Sequence, residues 1–377
     1  MTPSPLLLLE ELKSRRSEMV TALKALVAAE SPSSDTSATN DCASVVGDLG
    51  ERLLGSPATI HDVAGRLHLQ WGPPEGCRVL VLGHFDTVWQ RGTVGTWRDP
   101  GGPDRFSGPG AFDMKAGIVQ ALFGLASLPD ISDIAVLFNS DEEIGSPSSR
   151  ALIENAGRSA RYVLVVEPSA EGGALKVARK GVSAYSIDIT GRAAHAGLDP
   201  EKGVNATIEA AHHVLAVAAL SDSYEGTTVT PTVMRAGTTM NTVPANATLQ
   251  VDARAWTRAE QQRVDDAIRG LEAQIPGALL SITGGIDRPA LERPMSEALF
   301  QLAHAAAAEL GLGSIGAAEV GGASDGNLTA ALGIPTLDGL GPVGGGAHSD
   351  DEYVMIDAMP ERAALFALIA ARAGLPH

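Results

Sequence analysis

The sequence predicts an α/β protein: a mixed, mostly parallel sheet flanked by helices, with a smaller α+β domain inserted into it. Apolar runs of strand length alternate with helical patterns, which is typical of a parallel sheet with crossover helices. The middle of the chain instead alternates apolar and polar residues, as expected for a sheet with one solvated face. Because the first pattern resumes near the C-terminus, we interpret the middle segment as an insertion.

The flanking segments predict the elements of the larger domain in order. An amphipathic helix is expected over residues 5–29 and a second helix near 40–54. Buried strands are predicted at RVLVLG (78–83), DIAVLFN (133–139) and RYVLVVE (161–167), with a helix at 114–128 between the first two. GIPTLDGLG predicts a further strand, and MPERAALFALIAARAG predicts a closing helix that ends at Gly374.

The middle segment predicts a β-α-β-β-α-β order, which is typical of a ferredoxin-like domain. The expected elements are a strand at 181–191, a helix at 204–220, strands near 227–236 and 246–256, a helix at 258–273 and a strand near 278–284. We therefore expect residues 1–178 and 289–377 to form a catalytic domain in two parts. Residues 179–288 would form an inserted lid and dimerisation domain.

Composition excludes several classes of partner. The chain has 28 basic and 45 acidic side chains, a net charge of −17, which disfavours binding to nucleic acid or to anionic membranes. Two cysteines, Cys42 and Cys77, are too few for a disulfide framework or a thiolate metal cluster. The N-terminal PLLLLEELKSRR is typical of a helix start rather than of a secretory signal, and no apolar run reaches membrane-span length. We expect a cytoplasmic protein.

Histidine and acidic residues follow three of the predicted strands. RVLVLG runs into His84 and Asp86, DIAVLFN runs into the acids of NSDEEIGS (139–146), and RYVLVV runs into Glu167. In open α/β sheets, ligands bind outside the carboxyl ends of the strands. The sequence therefore indicates a functional site at this edge.

Two loops add further donors to the same site. The Gly-rich GPGAFDMKAG (108–117) presents Asp113 before a helix, and GPVGGGAHSDDEY (341–353) carries His348. Imidazole and carboxylate together are the ligands expected for zinc or a similar divalent ion. Two imidazoles with three acids fit two ions better than one.

One acid must remain available as a general base that takes a proton from metal-bound water. The adjacent Glu142 and Glu143 suit a division between base and ligand. Asp86 is placed to accept the second imidazole N–H of His84.

These motifs resemble a family of co-catalytic zinc hydrolases that includes glutamate carboxypeptidase, acetylornithine deacetylase, succinyl-diaminopimelate desuccinylase and aminoacylase. GHFDTVW, GPGAFDMKAG, NSDEEIGS, EPS, GRAAHAG and HSDDEY occur in the family's order. VLFNSDEEIGS, ITGRAAHAG, NTVPANATLQVDAR and GGASDGN are most similar to the glutamate carboxypeptidase branch. One departure is Met114, where the family often has another acid.

The resemblance implies a fold of the zinc-exopeptidase type and a role for each matching residue. His84 and Glu167 would hold one zinc, Glu143 and His348 the other, and Asp113 with a water or hydroxide would bridge them, cobalt or manganese being alternative ions. Glu142 would be the general base and Asp86 would orient His84. His195 would stabilise the oxyanion in the partner subunit's site of a homodimer formed through the lid domain, and Asn241, Arg254 and Arg288 would bind the substrate carboxylate.

The implied activity is hydrolysis of an amide bond beside a free carboxylate, with an acylated amino acid or short peptide as substrate. A glutamate carboxypeptidase is favoured; the alternatives are an N-acyl-amino-acid deacylase and a non-catalytic peptide-binding relative. Arg254 alternates with apolar residues along a strand, so a surface ion pair is the alternative for that residue.

Overall fold

A computed structural model describes residues 4–98, 102 and 104–375 of the chain. The chain divides into two units. Unit 1 comprises Met1–Ala178, Arg293–Glu319 and Ser324–His377, and unit 2 comprises Arg179–Glu292 with Val320–Ala323.

Within the described residues the α-helices are α1 (Pro5–Ser14), α2 (Arg16–Ala28), α3 (Thr36–Leu54), α4 (Thr93–Thr96), α5 (Ala116–Ala126), α6 (Arg150–Ser159), α7 (Ala206–Ala218), α8 (Arg258–Arg269), α9 (Glu297–Glu309), α10 (Gly326–Ala331) and α11 (Met359–Arg372).

The strands form one large sheet in unit 1, one in unit 2 and several short ribbons. In the same described residues they are β1 (Thr59–Val63), β2 (Arg66–Trp71), β3 (Val79–His84), β4 (Arg105–Ser107), β5 (Ile134–Asn139), β6 (Tyr162–Val165), β7 (Leu175–Arg179), β8 (Gly181–Thr190), β9 (Ala194–His195), β10 (Thr228–Ala236), β11 (Thr242–Val243), β12 (Asn246–Ala255), β13 (Leu279–Arg288), β14 (Ala317–Val320), β15 (Thr336–Leu337), β16 (Gly344–Gly345) and β17 (Tyr353–Met355).

The central sheet of unit 1 has the strand order β1-β2-β5-β3-β6-β15. Strands β5, β3, β6 and β15 are parallel, whereas β2 is antiparallel to β5 and β1 is antiparallel to β2. Val81 is paired with Val136 of β5 on one side and with Leu164 of β6 on the other. The predicted mixed, mostly parallel sheet is confirmed, and β5, β3 and β6 end side by side.

Both faces of this sheet are buried, which explains why β3, β5 and β6 are mostly apolar until polar residues, His84 and Asn139, end β3 and β5. Alternate residues of each strand enter different cores. On β3, Val79 and Val81 belong to the core formed with the N-terminal helices, α5 and α11, whereas Leu80 and Leu82 belong to the core beneath α6. Helices therefore cover the sheet on both sides.

Side-chain caps define where several helices begin. The Asp35 side chain accepts the N–H of Ala38 at the start of α3, and Gly55 ends that helix with φ of 75°. In unit 2, the Thr257 side chain accepts the N–H of Glu260 at the start of α8. Such caps satisfy N–H groups that have no partner within the helix.

Unit 2 is a four-stranded antiparallel sheet, of order β10-β12-β8-β13, covered by α7 and α8. Its chain order is β-α-β-β-α-β apart from the short ribbon of β9 and β11, as the series of elements predicted for the middle segment requires. On β8, Tyr185, Ile187 and Ile189 are buried, and they pack in a core of unit 2's own residues.

The structure corrects three details of the predicted elements. The single helix expected over 5–29 is two helices divided at Arg15, because α1 packs on α11 while α2 packs on α5. The strand expected in GIPTLDGLG is reduced to Thr336–Leu337. The segment 341–353 is not a simple loop, since β16 and β17 pair within it.

The described helices include none that is both long enough and apolar enough to cross a membrane.

Candidate metal centre and active site

The carboxyl ends of three neighbouring strands bring acids and a histidine together in unit 1. His84 is the last residue of β3, and the turn after β5 carries Glu142 and Glu143. Glu167 follows β6 by two residues. Since β3 lies between β5 and β6 in the sheet, all of these side chains start from one edge.

Asp113 enters this edge from the loop before α5. The loop bends tightly at Gly110, where φ is 70° and an added Cβ would lie 2.4 Å from Cγ2 of Thr87. A π-type turn over Ala111–Lys115 follows, and the Asp113–Met114 peptide bond is cis. This backbone path carries Asp113 past the end of β3.

His348 reaches the cluster from the turn between β16 and β17. Its backbone has φ of 61°, and its side chain is half exposed. The other histidine, His84, is buried. The cluster therefore has a buried side and a side that is open to solvent.

The distances divide the cluster into two halves that share Asp113. On the buried side, Nε2 of His84 lies 3.3 Å from Oδ1 of Asp113 and 3.4 Å from Oε1 of Glu167. On the open side, Nε2 of His348 lies 3.5 Å from Oδ2 of Asp113 and 3.2 Å from Oε1 of Glu143. The two carboxylate oxygens of Asp113 thus face different imidazoles.

The carboxylates give the cluster a strongly negative potential, and this potential raises the pKa of both histidines. Burial disfavours a charged imidazole at His84, but Asp113, Asp86 and Glu167 outweigh burial, and the pKa of His84 is raised well above its ordinary value. Asp113 and Glu143 raise the pKa of His348 to about 10. A site with this potential favours a bound cation.

The pKa values of Asp113 and Glu143 shift in opposite directions. Burial would raise the pKa of Asp113, but the imidazoles of His348 and His84 outweigh burial and lower that pKa. For Glu143 burial dominates, so its pKa is raised although His348 opposes the shift. Of the two acids, Asp113 is the one that holds its negative charge more firmly.

The donor set fits divalent metal ions. Oδ1 of Asp113 is buried and makes no hydrogen bond of ordinary geometry in the described chain. Potential ligand atoms of His84, Asp113 and Glu143 lie within 4.8 Å of one another, and the same holds for His84, Glu142 and Glu167. Neutral imidazole nitrogen and carboxylate oxygen are the donors that zinc and similar ions take.

Asp86 contacts the cluster through both its backbone and its side chain. Nδ1 of His84 lies 3.1 Å from the backbone carbonyl of Asp86 and 3.4 Å from its carboxylate. The Asp86 carboxylate accepts the backbone N–H groups of Glu142 and Glu143 and the hydroxyl of Ser33. Asp86 thus joins the end of β3 to the turn that carries both glutamates.

Two buried networks hold that turn, and neither was predicted from the sequence. The Asp141 carboxylate accepts the backbone N–H and hydroxyl groups of Ser148 and Ser149, and Nε2 of His68 lies 3.1 Å from the Ser148 hydroxyl. His68 lies on β2, where one histidine among alternating residues carries no recognisable signal.

The second network is centred on Asp325 of GGASDGN. Its carboxylate accepts the Asn139 side-chain N–H at 2.6 Å and the Ser146 hydroxyl at 2.5 Å. Asn139 ends β5 and Ser146 ends the turn, so both boundaries of the acidic segment are fixed. In the sequence, only the position of Asp325 within the motif GGASDGN indicates that this residue has a role.

Glu352 is a further buried carboxylate beside the site. It accepts N–H groups from Gly110, Phe112, Asp113 and Trp89. Burial raises the pKa of Glu352 to about 7, although these N–H groups act in the opposite direction. In the motif HSDDEY, His348 is the residue that the sequence predicts to be functional.

The remaining candidate residues belong to unit 2. His195 and Asn241 lie beside each other, because β9 pairs with β11 and the N–H of Ala196 donates to the carbonyl of Asn241. Arg254 forms an ion pair with Asp252 on the same strand. Arg288 ends β13 and is buried.

The chain matches a known family of peptidases over most of its length. The sequence profile of peptidase family M20/M25/M40 matches residues 80–372. The chain belongs to peptidase family M20/M25/M40. As an M20 protein it is a metal-dependent hydrolase, and the resemblance seen in the sequence motifs is confirmed.

Two curated relatives of this M20 hydrolase align over most of its length. Carboxypeptidase G2 of Pseudomonas sp. (strain RS-16) is 36% identical over 303 residues, which cover 76% of this chain and 72% of the relative. Succinyl-diaminopimelate desuccinylase of Dechloromonas aromatica (strain RCB) is 26% identical over 319 residues, which cover 76% of this chain and 81% of the relative.

A solved structure shows the same fold at lower identity. The aminopeptidase PepT of Bacillus cereus ATCC 10987 superposes with a TM-score of 0.73 at 19% identity, covering 96% of this chain and 99% of that one.

Proposed function

We propose that this M20 hydrolase uses two divalent cations, zinc in the first instance, to cleave an amide bond beside a free carboxylate. The observation that carries the proposal is the position of Asp113, whose two oxygens face two separate imidazole–carboxylate pairs. In this proposal His84 and Glu167 would hold one ion, His348 and Glu143 would hold the other, and Asp113 would be a ligand of both.

Ions bound there would supply an activated water and polarise the carbonyl of the scissile amide. Glu142 is proposed as the general base, because it lies in the same cluster as His84 and Glu167 while Glu143 faces His348. Its backbone N–H donates to Asp86, which fixes the start of its side chain. Glu142 takes a proton from the attacking water and later delivers one to the leaving amine nitrogen.

His195 is proposed to stabilise the oxyanion. Its Nδ1 accepts the backbone N–H groups of Gly197 and Leu198, which places the ring proton of the neutral imidazole on Nε2. Nε2–H is then a donor suited to a developing negative oxygen. The resemblance places this histidine in the active site of the partner subunit, so we propose a homodimer. Light scattering that found only the 38.8 kDa monomer would contradict it.

Carboxylate recognition is proposed for Asn241, Arg254 and Arg288 of unit 2. Asn241 is exposed next to His195, which favours its participation. Arg254 already holds Asp252, so a substrate carboxylate would have to compete with that ion pair. Arg288 is buried, and a role for it requires a substrate group that reaches the end of β13.

For the substrate, we propose release of a C-terminal amino acid, glutamate in the first instance, from a peptide or N-acyl conjugate. The motifs shared with the glutamate carboxypeptidase branch and the 36% identity to carboxypeptidase G2 support this class. The alternative is an N-acyl-amino-acid deacylase, which the similarity to succinyl-diaminopimelate desuccinylase favours.

Parallel assays test the proposal. Purified enzyme is stripped with a chelator, reloaded with zinc, cobalt or manganese, and given C-terminal glutamate conjugates beside N-acetyl and N-succinyl amino acids. We expect metal-dependent release of glutamate with the highest kcat/KM. Preferential cleavage of the N-acetyl or N-succinyl series would favour the deacylase, and chelator-resistant turnover would contradict the metal mechanism.

A further inference from the structure

Glu352 occupies an unusual position between two loops that carry proposed metal ligands. Its side chain is fully buried in unit 1. Oε1 accepts the backbone N–H groups of Phe112 at 2.8 Å and Asp113 at 3.0 Å. Oε2 accepts the backbone N–H of Gly110 and Nε1–H of Trp89, both at 2.9 Å.

We infer that Glu352 is a positioning residue that sets the conformation of the Asp113 loop for metal binding. The inference rests on the proposed function, because it assumes that Asp113 is a metal ligand. Three of the four hydrogen bonds go to backbone N–H groups at or just before Asp113, so they define the path of that loop rather than the surface around it.

The hydrogen bonds also distinguish positioning from ligation. A carboxylate oxygen accepts about two hydrogen bonds through its lone pairs in the carboxyl plane. Each oxygen of Glu352 already has two N–H donors, so neither has a lone pair directed at a cation. Glu352 therefore acts on the site through the Asp113 loop and not by direct contact with an ion.

The backbone of Glu352 links the same loop to His348. Its N–H donates to the carbonyl of Ser349, which follows His348 directly, and its carbonyl accepts the Ser107 hydroxyl. Strand β17 begins at the next residue and pairs with β4. One residue thus couples the two loops whose side chains, Asp113 and His348, meet in the open half of the cluster.

A carboxylate is required at this position because all four partners are donors. With Gln at position 352, one side-chain oxygen would be replaced by an NH2 group that faces two N–H donors. Buried N–H groups left without an acceptor destabilise the conformation that buries them. The loop would be expected to turn these N–H groups toward water, which moves Asp113.

The test compares zinc binding by the wild-type enzyme and Glu352→Gln. The apo proteins are titrated with Zn²⁺ alone in competition with a chromophoric chelator, and their melting temperatures are measured in parallel. Loss of a residue that orients a ligand typically weakens metal binding by about 10–100-fold. We expect Glu352→Gln to fold and to lose zinc affinity by about that factor, with an altered absorption spectrum of the Co²⁺-loaded form.

Glu209→Gln is the matched control. Glu209 is a fully buried carboxylate in unit 2 that accepts the N–H groups of Gln274 and Ile275 and contacts His213. We expect this variant to lower the melting temperature without changing zinc affinity. A merely structural Glu352 would behave like Glu209.

Zinc affinity of Glu352→Gln within twofold of wild type would overturn the inference, whatever the change in melting temperature. If Glu352→Gln does not fold, Glu352→Asp replaces it. This variant keeps the charge but shortens the reach, so an affinity several-fold below wild type supports positioning and an unchanged affinity contradicts it. Failure of the proposed function is distinguishable, because wild-type enzyme would then bind no zinc at the cluster.

Discussion

At the scale of single residues, the chemistry depends on a division of labour among acids that sit next to one another. Glu142 and Glu143 are consecutive and both lie near His84, yet Glu143 is 3.2 Å from His348 whereas Glu142 clusters with Glu167. The short helical turn over Glu142–Ile144 separates the two side chains in this way. Neighbouring carboxylates can therefore take different roles.

Replacing the general base gives the prediction at this scale. We expect Glu142→Gln to retain its zinc and to lose about 10²–10⁴-fold in kcat, because the amide cannot accept a proton from water. Metal content by mass spectrometry and kcat on the best substrate are the measurements. Glu154→Gln, which removes a surface acid paired with Arg150 and Arg158, should change neither.

Wild-type turnover by Glu142→Gln would remove Glu142 from the role. Loss of metal together with turnover would instead make Glu142 a ligand.

The individual residues divide into those that a sequence pattern reveals and those that it does not. His84, Asp113 and His348 stand in recognisable motifs at strand ends or in Gly-rich loops. No sequence pattern reveals the role of Glu352, because three of its four partners are backbone N–H groups of a loop more than two hundred residues away. Backbone partners leave no side-chain pattern, so only the folded loop reveals them.

At the scale of elements, burial decides what could be predicted. The sequence predicts strands β3, β5 and β6 because a strand covered on both faces is a nearly continuous apolar run. The hairpin of β1 and β2 was not singled out, because TIHDV and RLHLQW mix polar and apolar residues. The sequence predicts strand β15 at the correct place, but the structure limits it to Thr336–Leu337.

A buried carboxylate in unit 2 gives a pH-dependent prediction at this scale. Burial alone would raise the pKa of Glu209, but the N–H groups of Gln274 and Ile275, with His213, outweigh burial and lower the pKa below its ordinary value of 4.5. A carboxyl group with a lowered folded pKa contributes stability that is complete above its unfolded pKa and is lost as pH falls through the folded pKa.

We therefore expect Glu209→Gln to lower the free energy of unfolding by about 1–3 kcal/mol at pH 7, because one N–H group of the α8–β13 connection loses its acceptor. The difference from wild type should shrink as the pH falls below 4.5. Urea unfolding at a series of pH values measures it. A difference that stayed constant down to pH 3 would show that the charge of Glu209 contributes nothing.

At the scale of the whole molecule, the proposed machinery is distributed between two units. All five proposed metal ligands and Glu142 lie in unit 1, whereas His195, Asn241, Arg254 and Arg288 lie in unit 2. The net charge of −17 disfavours anionic substrates at long range, so a carboxylate-bearing substrate depends on local cations such as bound metal ions or arginine. The fold class and this distribution were both expected from the sequence.

The most direct test of the central claim is a crystal structure of the zinc-loaded enzyme with anomalous data collected at the zinc edge. We predict two anomalous peaks, one beside His84 and Glu167 and one beside His348 and Glu143, with Asp113 bonded to both ions. A single peak, or zinc bound by residues outside this cluster, would contradict the account.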